Sequence, residues 1–100
     1  MDENETPLPV LFRKDISGDV TAIFPTLPWD RTGDHMACYS HVGQHSSCSV
    51  GWYNQTSAAS PDEYAALKAE LEGAPFNYRF DVRSRISRAM HETRRRDARK

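Results

Sequence analysis

Hydrophobic and polar positions change their period several times along the chain, and each change predicts an element. Leu11-Phe12-Arg13-Lys14 and Val20-Thr21-Ala22-Ile23-Phe24 are β-branched and aromatic runs on either side of the turn-rich Asp15-Ile16-Ser17-Gly18-Asp19, the composition of a β-hairpin. Pro25 is expected to close the second strand, and Pro25 to Asp34, with its prolines, glycine and charges, reads as a loop carrying Trp29 at or near the surface. Met36 to Val42 and Cys48 to Gln55 predict a second hairpin turning at Gly43-Gln44-His45. That register sets Ser40 opposite Cys48, Cys38 opposite Val50 and Met36 opposite Trp52. One face then holds Met36, Cys38, Cys48, Val50 and Trp52, with Trp52 rather than Tyr53 turned into the core.

Ser60-Pro61-Asp62-Glu63 predicts a helix start: Ser at the N-cap, Pro in the first helical position, and Glu at the third to complete a capping box. Tyr64, Leu67 and Leu71 form its apolar stripe and Gly73 its stop. From Phe76 the period falls to two. Phe76, Tyr78, Phe80, Val82, Ser84 and Ile86 alternate with Asn77, Arg79, Asp81, Arg83 and Arg85, which predicts a half-buried strand. Beyond it only Ile86, Ala89 and Met90 make an apolar patch, so a short helix is expected to decay into a solvated, mobile tail. The fold class implied is α+β: a four- or five-stranded antiparallel sheet with one main helix packed on one face and a short basic C-terminal helix. The divisions are a flexible acidic arm over 1–9, a single domain over 10–90 and a basic tail over 91–100.

Charge changes this picture more than composition does. The formal net charge is only −1, yet residues 83–100 hold eight Arg or Lys against two acids, while residues 1–82 hold five basic residues against twelve acidic. A negative body with a positive end suggests an interaction segment, or a tail that folds back on its own body. No apolar run approaches the ~20 residues of a membrane helix, and MDENETPLPV lacks the basic and apolar regions of a secretory signal, so a cytoplasmic protein with reduced thiols is expected.

Candidate chemistry concentrates in HMACYSHVGQHSSC, which holds both cysteines and three of the four histidines. Read formally it offers two His-x2-Cys pairs, His35 with Cys38 and His45 with Cys48, as zinc ligands. Strand alternation disperses them, and the six residues between the pairs are fewer than two zinc knuckles usually span, so core cysteines are the preferred reading and no cofactor is expected. A diagonal pair of cysteines, ~7–8 Å apart, would lie beyond easy disulfide reach. A Cys nucleophile paired with His41 or His45 has no third orienting group, and neither a Gly-x-Ser-x-Gly elbow nor a phosphate loop occurs. The chain is therefore read as no enzyme. Its strongest functional signal is basic: Arg79, Arg83, Arg85, Arg88, Arg94, Arg95 and Arg96 could meet an acidic protein surface, or nucleic acid phosphates, with Trp29 as an aromatic anchor.

VLFRK, GDVTAIFPTLP, CYSHVGQH, GWY and ASPDEYAALKAEL together resemble small uncharacterised bacterial proteins of plasmids, phages and integrated elements, over about residues 10–86. The resemblance implies a setting and no catalytic residues. The expected function is that of a small non-catalytic interaction or regulatory protein, encoded on a mobile element, that binds a host or defence protein. Nucleic-acid binding through the basic end and metal binding at the His/Cys hairpin are the alternatives, and the oligomeric state is left open.

Overall fold

A computed structural model describes residues 7–40 and 45–99, with the backbone alone at His45. Strand β1 (Leu8–Lys14) and strand β2 (Val20–Pro28) form the first hairpin, with Leu11 opposite Ile23 and Lys14 opposite Val20. The Asp15 carboxylate accepts from the backbone N–H groups of Ser17 (2.9 Å) and Asp19 (3.1 Å), which closes the turn. The second strand does not end at Pro25. It continues to Pro28 through a register shift between Phe24 and Pro28, because a proline without an N–H can be carried through a sheet where the ladder is interrupted.

Strand β3 (His35–Tyr39) pairs with β2, and strand β4 (His45–Ser49) pairs with β3 at the edge of the sheet. Met36 lies opposite Cys48 and Cys38 opposite Ser46, a register four residues away from the one expected. The second arm is short because Ser49 caps a helical turn, α1 (Val50–Tyr53), its hydroxyl accepting from the Trp52 N–H at 3.0 Å. Val50 and Trp52 thus leave the ladder and fold back over the sheet. The residues expected to turn the hairpin, 43 and 44, lie outside the described residues, and His45 opens β4 instead of the loop.

Two short strands share the outer edge of β1. Strand β5 (Ser57–Ala58) runs antiparallel to its end, and strand β6 (Phe80–Val82) runs parallel to its start. The sheet is therefore largely antiparallel, with order β4-β3-β2-β1 and one parallel addition. Leu8 and Pro9, expected in a flexible arm, belong to β1; the rest of that arm up to residue 6 lies outside the described residues.

Period-two alternation gives the sheet two apolar faces. Val10, Phe12, Ala22, Phe24, Ala37 and Tyr39 line one of them. Helix α2 (Pro61–Glu72) covers it with Leu67 and Leu71, starting at Ser60 with the expected capping box. The Tyr39 hydroxyl donates to the Glu70 carboxylate and ties this helix to β3. Phe76, Tyr78 and Phe80 stack on the same face, Tyr78 and Phe80 with centroids 5.4 Å apart, so the expected alternation holds. The eleven-residue strand does not. Asn77 turns the chain with a φ of 55°, and only Phe80–Val82 finds a partner strand.

Leu11, Ile23, Met36, Cys38 and Cys48 line the opposite face, with Val50, Trp52, Tyr53 and Ile86 packed on them. Here the sequence reading requires its main correction. The expected short C-terminal helix is α3 (Arg88–Ala98), capped by Ser87, but it runs on through most of the segment 91–100 expected to be a mobile tail and is buried at Met90 and Arg94. The physical reason is that an arginine occupies the core-facing position one turn after Met90, so the helix docks without a further apolar residue.

Candidate functional site

Arg94 has no exposed surface, which removes it from any partner-binding set. Its Nε donates to the Gly33 carbonyl at 2.7 Å, Nη1 to the Pro25 carbonyl at 2.8 Å, and Nη2 to Nδ1 of His91 at 2.8 Å. Burial holds the guanidinium below its usual pKa, and Arg95 adds to that, while Asp34, Cys48 and Asp30 act the other way. Burial, with Arg94 and Arg95 beside it, also lowers the pKa of His91, which keeps its ring neutral and its Nδ1 free to accept. Gly33 makes the approach possible. Its φ is 78°, and a Cβ there would stand 2.9 Å from the Arg95 Cα.

The connection between β2 and β3 is thus seated on α3, and it carries Trp29, which is 51% exposed. Asp30 gives the loop its shape, accepting from the Gly33 N–H and the Thr32 hydroxyl at 2.9 Å and meeting Nδ1 of His35 at 2.9 Å. Arg88, Arg95, Arg96 and Arg99 are exposed on α3; Arg88 reaches Glu92 at 3.4 Å and Arg96 reaches Asp97 at 3.6 Å, both local surface pairs of small energetic weight. Arg79, Arg83 and Arg85 are also exposed, but they flank β6 at the sheet edge, Arg79 just before it and Arg83 and Arg85 just after it, with Arg83 held by Asp81 at 2.9 Å. The acids Asp62, Glu63, Glu70 and Glu72 sit on α2, over the opposite face of the sheet. The basic helix thus does not fold back on the acidic one, and the acids near it are Asp30 and Asp34 of the loop and its own Glu92 and Asp97.

The second candidate is a pocket of about 370 Å³ on the α3 side of the sheet, lined by Thr21, Cys38, Ser40, Ser46, Cys48 and Trp52. Both cysteines are free thiols, 4% and 8% exposed. Cys38 and Cys48 pack in one buried cluster on this face, and the Ser46 hydroxyl lies 3.3 Å from the Cys38 sulfur. Hydrogen bonding from Cys48 lowers the Cys38 pKa against the effect of burial, Ser46 acts in the same direction, and Cys48 is raised and held protonated.

The structure separates the proposed zinc ligands. His35 and Cys38 are three apart on one strand and face opposite ways, His35 is turned to Asp30, and the side chain of His45 lies outside the described residues, as does His41. Among the described residues no three His, Cys, Asp or Glu side chains come together as metal ligands. The two cysteines share a face as a diagonal pair, as expected, although the register is four residues from the expected one. The role of Arg94 was missed because arginine was counted as surface; its signal was the four-residue spacing of Met90, Arg94 and Ala98 on one helical stripe. No helix among the described residues is long and apolar enough to cross a membrane. Comparison with protein-family models, curated proteins and solved structures finds no match to the chain.

Proposed function

We propose that the protein is a small interaction or regulatory protein of the bacterial cytoplasm that acts by binding, not catalysis, and meets an acidic protein surface with α3. The observation that carries this reading is the outward display of Arg88, Arg95, Arg96 and Arg99 on a helix whose docking consumes Arg94 alone, with the exposed Trp29 in the loop seated beside it. Aromatic and arginine side chains dominate interface energies, and a docked helix presents them with less ordering cost than a mobile tail. The acidic α2 on the other face favours a compact acidic partner over a long duplex, whose phosphates it would repel. A setting on a plasmid, phage or integrated element, with a host or defence protein as target, fits the resemblance of CYSHVGQH and GWY.

A fluorescent peptide rich in Asp and Glu and a short DNA duplex, each titrated with the intact chain over a range of salt, test the reading. Binding of the peptide should weaken steeply with salt and be lost when Arg95, Arg96 and Arg99 are changed together to Gln, with the fold unaltered. Tighter binding of the duplex, lost in the same variant, would transfer the basic face to nucleic-acid recognition. Binding of neither would sink the proposal.

A further inference from the structure

We propose that Cys38 and Cys48 form a peroxide-oxidisable dithiol whose product is a disulfide across β3 and β4. Both thiols belong to one buried cluster on neighbouring strands, and three features of this pair point to chemistry. They line a pocket of about 370 Å³, with room for a small hydroperoxide. Thr21, Ser40 and Ser46 also line the pocket, hydroxyl residues of a kind that can hydrogen-bond a peroxide, with the Ser46 hydroxyl 3.3 Å from the Cys38 sulfur. The third is position: β4 ends the strand order beside β3, so it can shift along β3 without unpairing a further neighbour. That shift is needed, because Cys38 faces Ser46 and Cys48 faces Met36, which leaves the cysteines diagonal in the ladder.

The roles within the pair are unequal. The neighbouring Cys48 thiol and Ser46, whose hydroxyl lies 3.3 Å from the Cys38 sulfur, lower the pKa of Cys38, which is assigned the attacking role as thiolate; Cys48, whose pKa is raised, keeps its proton and is the resolving thiol. The Cys38 thiolate attacks one oxygen of a hydroperoxide, forming an S–O bond as the O–O bond breaks. Its sulfur loses two electrons to the peroxide, and the departing alkoxide or hydroxide takes a proton from solvent. The Cys48 sulfur then attacks the sulfenic sulfur of Cys38, forming the S–S bond and breaking the S–O bond, and the hydroxide leaves as water with the proton of Cys48. Two thiols and one hydroperoxide thus yield a disulfide, an alcohol or water, and water. Trp52 borders the same pocket and reports the change.

The purified full-length chain, reduced and then treated with hydrogen peroxide, tests this by intact mass and non-reducing peptide mapping. The expected product has lost two hydrogen atoms, carries a Cys38–Cys48 linked peptide, shows altered tryptophan fluorescence and reverts with a dithiol reductant. Cys48→Ser should stop at a sulfenic acid on Cys38 that a dimedone probe traps, while Cys38→Ala should lower the reaction of the remaining thiol at least tenfold. Circular dichroism checks that each variant is folded, and the wild-type peptide map decides alone if either is not. Oxidation of the wild type to sulfinic acid without a linked peptide, disulfides formed only between chains, or linkage seen only in urea would each overturn the proposal.

Discussion

Removing the Arg94 side chain tests whether the basic C-terminal segment is part of the fold. In Arg94→Ala the carbonyls of Gly33 and Pro25 lose their donors in buried surroundings, at about 1–3 kcal/mol for each orphaned group. The buried stem leaves a cavity, which adds to the loss, and relief of the desolvated charge offsets part of it. A net destabilisation of ~2–4 kcal/mol follows, and at roughly 4–8 °C per kcal/mol for a domain of this size the melting temperature falls by on the order of 10–30 °C. Arg94→Met keeps the apolar stem without the donors and should cost about half as much. Urea unfolding followed by circular dichroism measures both, and a chain ending at residue 90 should lose its cooperative transition. A change in Arg94→Ala below ~0.5 kcal/mol, the size of an ordinary surface substitution, would refute the docked helix and restore the mobile tail.

Other perturbations probe the same structure from separate sides. Gly33→Ala forces an L-residue to a φ of 78° with its Cβ against α3; it should destabilise by ~1–3 kcal/mol, read as a lowered urea midpoint. Ser60→Ala removes the N-cap of α2 and should cost ~0.5–2 kcal/mol; an unchanged midpoint would mean that the capping box contributes nothing. The pKa of His91 is lowered in the fold, so its contribution is complete above the ordinary histidine value and is lost as the pH falls from there through the folded value. Thermal melts across that window should show a decline that His91→Gln flattens. Lys14 and the Ser60 N–H lower the pKa of Glu63, so the stability difference between the wild type and Glu63→Gln should shrink as the pH falls below the carboxylate range.

Local rules, written in neighbouring residues, were enough to determine the first hairpin, the helix from Ser60 and the alternation of Phe76, Tyr78 and Phe80. A turn made by Asp15 and Gly18, a Ser-Pro-Asp-Glu start and a period of two act within a few residues of themselves, so they are visible without the rest of the chain. The pairing of β3 with β4 is different. Its register moved four residues from the expected one because Ser49 capped a helical turn and drew Val50 and Trp52 out of the ladder; that competition between helix and strand was settled by packing on the face formed by Leu11, Ile23 and Met36. Cys38 and Cys48 are diagonal neighbours on one face in either register, but only the observed one sets Ser46 opposite Cys38. Arg94 shows the same limit in electrostatic form. Eight cations in the last eighteen residues read as one charged tail, yet the carbonyls that one of them satisfies belong to Pro25 and Gly33, more than sixty positions away. An arginine's place is set by the acceptors it finds, and only the folded sheet, with its interrupted ladder at Pro25 and its glycine at 33, supplied them.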